Sequence, residues 1–119
     1  YAKQYLGTPY KWGASSGKAF DCSGFVVYVM KKFDVDLKRR ASEQFKGGIE
    51  VAREDLQPGD LVFFTTYKKG PSHVGIYIGN NEFIHASSGH GRVMITSLNS
   101  SYYKPRYLGA RRYAPTKSD

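Results

Sequence analysis

The stretch His73-Val74-Gly75-Ile76-Tyr77-Ile78-Gly79-Asn80-Asn81-Glu82-Phe83-Ile84-His85-Ala86 alternates with a period of two on either side of an Asn-Asn pair. That is the pattern of an antiparallel hairpin. Two registers are open to it. A two-residue loop at Asn80-Asn81 pairs Gly79 with Glu82, sets Ile76 opposite His85 and sends the two histidines to opposite faces. A three-residue loop, Gly79-Asn80-Asn81, pairs Ile78 with Glu82 and sets Gly75 opposite His85. His73, Gly75, Tyr77, Phe83 and His85 then share one face, and Val74, Ile76, Ile78, Ile84 and Ala86 the other. A sheet with one buried face needs its aliphatic residues on one side, so the hydrophobic pattern selects the second register. Asn and Gly also supply the left-handed conformations that such a loop requires.

Further strands flank this hairpin. Leu56-Gln57-Pro58-Gly59-Asp60 is a turn signal, and Leu61 to Tyr67, rich in aromatic and β-branched residues, follows as a strand. Arg92 to Leu98 and Leu108 to Tyr113 complete five antiparallel strands. Before them lie helical segments. Tyr1 to Leu6 reads as the end of a helix stopped by Gly7 and Pro9. Tyr10 to Phe20 is a loop. Asp21 is placed to cap a helix from Cys22 to about Phe33, and Ser42 to Phe45 is a short second one. Helices first and strands later indicate an α+β fold.

The chain has 119 residues, 40% of them hydrophobic and 15% aromatic. That suffices for one core and excludes a disordered chain, so residues 1–119 are expected to form a single domain. The chain contains no 18-residue apolar run, so no transmembrane segment is expected. It begins at Tyr1 without a signal-peptide pattern, and the expectation is a piece of a longer protein. The net charge of +8 points to a polyanionic partner: nucleic acid, anionic lipid or an anionic cell wall. The cations fall in short clusters, Lys31-Lys32, Lys38-Arg39-Arg40, Lys68-Lys69 and Arg111-Arg112. No basic helix stripe or RNA-binding aromatic motif accompanies them, so a nucleic-acid partner is not expected.

Cys22 is the single cysteine. At a helix start it feels the positive end of the macrodipole and unpaired N–H groups, which favour thiolate. The expectation is a thiol titrating below the ordinary ~8.5. A lone cysteine is a nucleophile candidate only with a histidine to act as base. His73 and His85 on one strand face supply a base and the group that orients it. A zinc site built from Cys22, His73 and His85 is the other use of these residue types, but no close-pair ligand spacing favours it. His90, between two glycines, is left as a surface residue.

In this order the motifs resemble those of the NlpC-type cell-wall peptidases, the bacterial papain-like γ-D-glutamyl endopeptidases. The matching stretches are Gly7-Thr8-Pro9-Tyr10-Lys11-Trp12-Gly13, Phe20-Asp21-Cys22-Ser23-Gly24-Phe25, Leu56 to Phe64, His73 to Gly79, Phe83-Ile84-His85-Ala86 and Gly109-Ala110-Arg111-Arg112. The resemblance implies a papain-like fold, with N-terminal helices packed on a five- to six-stranded antiparallel sheet. It implies a catalytic set of Cys22 as nucleophile, His73 as general base and His85 as orienting residue. Tyr10 is implied beside the nucleophile, near the oxyanion, and Asp21 and Ser23 in substrate binding. Helix capping explains Asp21 equally well. The implied substrate is a peptidoglycan stem peptide, cleaved after γ-D-glutamate without metal or cofactor. The implied setting is secreted or associated with the bacterial wall, as a monomer. Another papain-like peptidoglycan amidase, or a wall-binding domain without activity, are the alternatives. Two departures stand out: Lys38 where relatives often carry Pro before Arg, and Pro71 where many carry Gly before the Ser-His pair.

Overall fold

The computed structural model describes residues 2–11, 13, 15–16, 19–66 and 69–114. Tyr1, Trp12 of the first motif, Tyr67 at the end of the expected strand from Leu61, and Lys68 of the Lys68-Lys69 cluster lie outside the described residues. In chain order the elements are a 3-10 turn at Ala2–Tyr5, a two-residue pair β1 (Ser15–Ser16) and β2 (Ala19–Phe20), and helices α1 (Cys22–Lys31) and α2 (Ala41–Gln44). Strands β3 (Ile49–Val51), β4 (Leu61–Phe64), β5 (His73–Gly79), β6 (Glu82–Ser87), β7 (Arg92–Ser97) and β8 (Tyr107–Arg112) follow. The six strands β3 to β8 form one sheet in the order β3-β8-β4-β5-β6-β7, and every adjacent pair is antiparallel. The α+β expectation is met. The sheet gains a sixth strand, β3, which the short Ile49–Val51 segment was too brief to announce.

The hairpin reconciles the two registers. Ile76 pairs with Ile84 and Tyr77 with Phe83, which continues to Gly75 opposite His85. At the turn, however, Gly79 pairs with Glu82, and the register shifts between Tyr77 and Gly79. The loop is therefore the two-residue Asn80-Asn81, not the expected three residues. Both asparagines have positive φ, 54° and 60°, and Gly79 has φ 96°. Two consecutive left-handed residues make the type I′ turn that suits twisted strands. The bulge at Ile78 absorbs the extra residue and restores the alternation.

Helix α1 covers the aliphatic face. Asp21 caps it, its carboxylate accepting from the Gly24 N–H at 2.7 Å. Phe25, Val26, Val29 and Met30 recur at helical spacing and pack with Val74, Ile76, Ile84, Ala86 and Val93. The other face is buried as well, contrary to the one-sided sheet expected. Val62, Phe64, Tyr77 and Phe83 are covered by Leu98 and Tyr103 from the segment between β7 and β8, and by Tyr107 at the start of β8. Alternating strands buried on both faces explain why all four residues of β4 are inaccessible. The edge of β7 is covered by the N-terminal segment: Gly7 and Tyr10 donate to the carbonyls of Val93 and Gly91, and Val93 donates to Thr8. Such cover blunts an edge that would otherwise template further pairing.

Gly75 is required where it stands. A Cβ there would lie 2.7 Å from the Phe83 ring, 3.0 Å from the His85 Cβ and 3.0 Å from the Ile84 carbonyl oxygen. Two of those neighbours are fixed by the strand, so Gly75→Ala must separate β5 from β6. The expected cost is about 1–3 kcal/mol, as for overpacking in other cores. Urea denaturation of the variant measures it.

Candidate active site

The site forms where the start of α1 meets the start of β5. Cys22, buried, lies with its Sγ 3.8 Å from the Ser72 carbonyl oxygen and within reach of the Val74 N–H. The thiol thus rests against the backbone on both sides of His73. His73 and His85 share one sheet face. Nε2 of His73 and Nδ1 of His85 are 2.8 Å apart, and Nε2 of His85 is 2.8 Å from the Thr96 hydroxyl. If Nδ1 of His73 is to accept a proton, its Nε2 must carry hydrogen and donate to Nδ1 of His85. Nε2 of His85 then carries hydrogen and donates to Thr96. The line of bonds accommodates the tautomer that a base needs.

Thr96 was not singled out from the sequence, although the register contains the signal. Thr96 pairs with Phe83, so it shares a face with Phe83 and His85. Tyr103 was also missed. It stacks on His73 with ring centroids 5.6 Å apart and planes at 26°, and stands edge-on to His85 at 5.3 Å. Its hydroxyl is held by Ser87. His90 is exposed, yet it bonds the same Ser87 through Nδ1 at 3.3 Å.

Asp21 and Ser23 flank the thiol, and Arg39 joins them. Its guanidinium donates to Asp21 at 2.9 Å and to Ser23 at 2.8 Å, while the Gly13 N–H also donates to Asp21 at 2.9 Å. Asp21 is thus both helix cap and ion-pair partner. These residues line a pocket beside Cys22 together with Arg40, Ala41 and Ser42. Tyr10 is half-buried against the α1 core and is anchored through its N–H to Gly91. Among the described residues no group of three or more His, Cys, Asp and Glu is arranged to hold a metal ion.

The electrostatics overturn the thiolate expectation. Burial pushes the Cys22 thiol up to about 11, and the Asp21 charge adds to it. The N–H groups of Val74, Ser23 and Cys22 itself act in the opposite sense but are the smaller effects. Burial also lowers His73 to about 4. His85 is held well below the usual histidine value by burial, then by its neighbours His73 and His90. At rest the thiol and the imidazole are both neutral.

A thiol at the start of α1, resting against the backbone on either side of a strand histidine on this α+β frame, marks the papain-like fold class. The NlpC/P60 family model matches residues 7–112, and the chain belongs to that family. It is 53% identical over 113 residues to the probable peptidoglycan endopeptidase LytE of Bacillus subtilis, covering 94% of this chain and 32% of the relative. It is 41% identical over 115 residues to the gamma-D-glutamyl-L-lysine dipeptidyl-peptidase of Bacillus cereus, covering 95% and 34%. Thus the chain spans about a third of the length of these two curated relatives. A crystal structure of an NlpC/P60 family protein from Bacillus cereus superposes with a TM-score of 0.89 at 41% identity, covering 96% of this chain and 38% of the other.

Two outcomes follow from these titrations. In the folded state His73 binds its proton only near pH 4, whereas an unfolded histidine binds near 6.5. Its contribution is therefore complete above 6.5 and lost as pH falls towards 4, about 3 kcal/mol for His73 alone. Thermal melts between pH 7 and pH 4 are expected to show this decline. Asp21→Asn keeps a good cap but removes the charge that raises the thiol. Alkylation of Cys22 by iodoacetamide should accelerate in that variant, with its rate profile displaced to lower pH.

Proposed function

We propose that this domain is a cysteine endopeptidase of peptidoglycan that cuts the bond between γ-D-glutamate and the diamino acid of the stem peptide. Cys22 is the nucleophile, His73 the general base and His85 the residue that orients it. The observation that carries this reading is the buried His73–His85 hydrogen bond beside a thiol held at Ser72 and Val74. The choice of bond draws on the name of the Bacillus cereus relative, a gamma-D-glutamyl-L-lysine dipeptidyl-peptidase. The +8 charge suits an anionic wall as the setting, and the enzyme acts there outside the cytoplasm as a monomer.

In this mechanism the proton leaves the thiol as the bond to carbon forms, because a neutral pair is the resting state. Nδ1 of His73 takes that proton while Cys22 Sγ attacks the γ-carbonyl. The oxyanion is met by the Cys22 N–H in the first turn of α1, with the Tyr10 hydroxyl as second donor. His73 returns the proton to the leaving amine, and water then hydrolyses the thioester. Asp21 and Ser23, held by Arg39, line the pocket for the acyl half.

Mass spectrometry of products from defined stem peptides tests this. Cys22→Ala is expected to fold and to lose turnover. His73→Ala is expected to be nearly inactive, while His85→Asn keeps partial activity, since an amide oxygen still accepts from the imidazole. Cleavage at the glycan–peptide junction would assign a different amidase. Turnover by Cys22→Ala within tenfold of wild type would remove the nucleophile.

A further inference from the structure

A second pocket, of about 570 Å³, opens on the other side of His73. Its walls include His73 and Tyr103 together with Ser87, Ser88, Ser101 and His90, and they do not include Cys22. The pocket beside Cys22, in turn, does not include His73. We propose that this second pocket holds the amine half of the substrate, and that Ser88 and Ser101 take the carboxyl group of its diamino acid. This rests on the reading above and names the specificity of the same site.

The first argument is one of position. The scissile bond must straddle the two pockets. Its carbonyl carbon goes to Cys22 Sγ and its nitrogen to the imidazole that returns the proton. The acyl half therefore lies over Asp21, Ser23 and Arg39, and the amine half over the pocket walled by His73. Tyr103 forms a rigid floor there, stacked on His73 and edge-on to His85 and Phe83.

The second argument is chemical. None of the described lining residues is acidic, so nothing there would draw in the second ammonium group of a diamino acid. The hydroxyls of Ser88 and Ser101 are exposed and have no hydrogen bond among the described residues. Most other polar groups of the wall are committed. Thr96 bonds His85, Ser87 bonds His90, and Ser100 accepts from the Tyr103 N–H. Two cations touch residues of the wall. Arg92 donates to the His90 carbonyl, and Arg106 lies 3.9 Å over the Tyr102 ring. Free hydroxyl donors in a wall that two cations touch suit a carboxylate, or the peptide carbonyl that replaces it in a longer stem.

Two synthetic L-alanyl-γ-D-glutamyl amides test the proposal. One releases a 2,6-diamino acid, the other the corresponding diamine without the carboxyl group. Wild type is expected to favour the first by about tenfold in kcat/KM, the worth of one or two hydrogen bonds to a charged group. In the double variant Ser88→Ala, Ser101→Ala the preference should fall to about twofold, with hydrolysis of the diamine substrate unchanged. A second measurement is independent of cleavage. The free 2,6-diamino acid, titrated into Cys22→Ala, should shift the NMR signals of Tyr103 and His90, and the added serine substitutions should abolish the shift. Cleavage with an unaltered preference in the double variant and unmoved Tyr103 signals overturns the pocket assignment. Shifted signals without cleavage of either substrate by wild type would retain the pocket and reject the peptidase reading.

Discussion

The hydrogen bond between two buried imidazoles, Nε2 of His73 to Nδ1 of His85, constrains most of what surrounds it. It demands that β5 and β6 lie close, which only a glycine at position 75 allows. It demands that both rings be shielded from water, which the Tyr103 segment provides on the face that α1 does not cover. It continues from Nε2 of His85 to the Thr96 hydroxyl, which anchors the second ring. Each demand is met by a different part of the chain, so the pair is a product of the whole sheet and not of one motif.

Shielding has a chemical cost that the helix start does not remove. Burial acts on the charged form of every group in the site, raising the thiol and lowering the imidazoles. The N–H groups of Val74, Ser23 and Cys22 oppose this at the thiol but do not outweigh it. In the proposed mechanism a neutral pair places the burden on concerted proton transfer and on a preorganised position for the base. The bonds from His73 to His85 to Thr96 supply that preorganisation without introducing a formal charge.

The sequence disclosed features that depend on periodicity and lost those that depend on distant segments. Alternation along His73 to Ala86 was enough to put both histidines on one face, because a slip of one residue would have exposed the aliphatic set. It could not show the bulge at Ile78, which leaves alternation intact beyond it while the turn keeps two residues. Asp21 was legible as a cap, a local property. Its ion pair with Arg39 was not, since 18 residues separate them. The thiol was misjudged for the same reason: a helix terminus is visible in sequence, whereas burial of Cys22 in the folded chain is tertiary. Tyr103 carries no motif, and only the folded chain lays it on His73.

The sheet order has a temporal meaning. Strand β8 lies between β3 and β4, although it is the last strand in the sequence, and Arg112 at its end pairs with Asp60 through bonds of 2.8 and 2.9 Å. During synthesis, Cys22, His73 and His85 therefore all emerge before the strand that joins the two parts of the sheet. Pairings of such long sequence separation are slow to close. A chain arrested before residue 107 carries every proposed reacting group but lacks the neighbour that β4 needs on its outer side. Assembly of the sheet around these groups is thereby coupled to the arrival of its last strand.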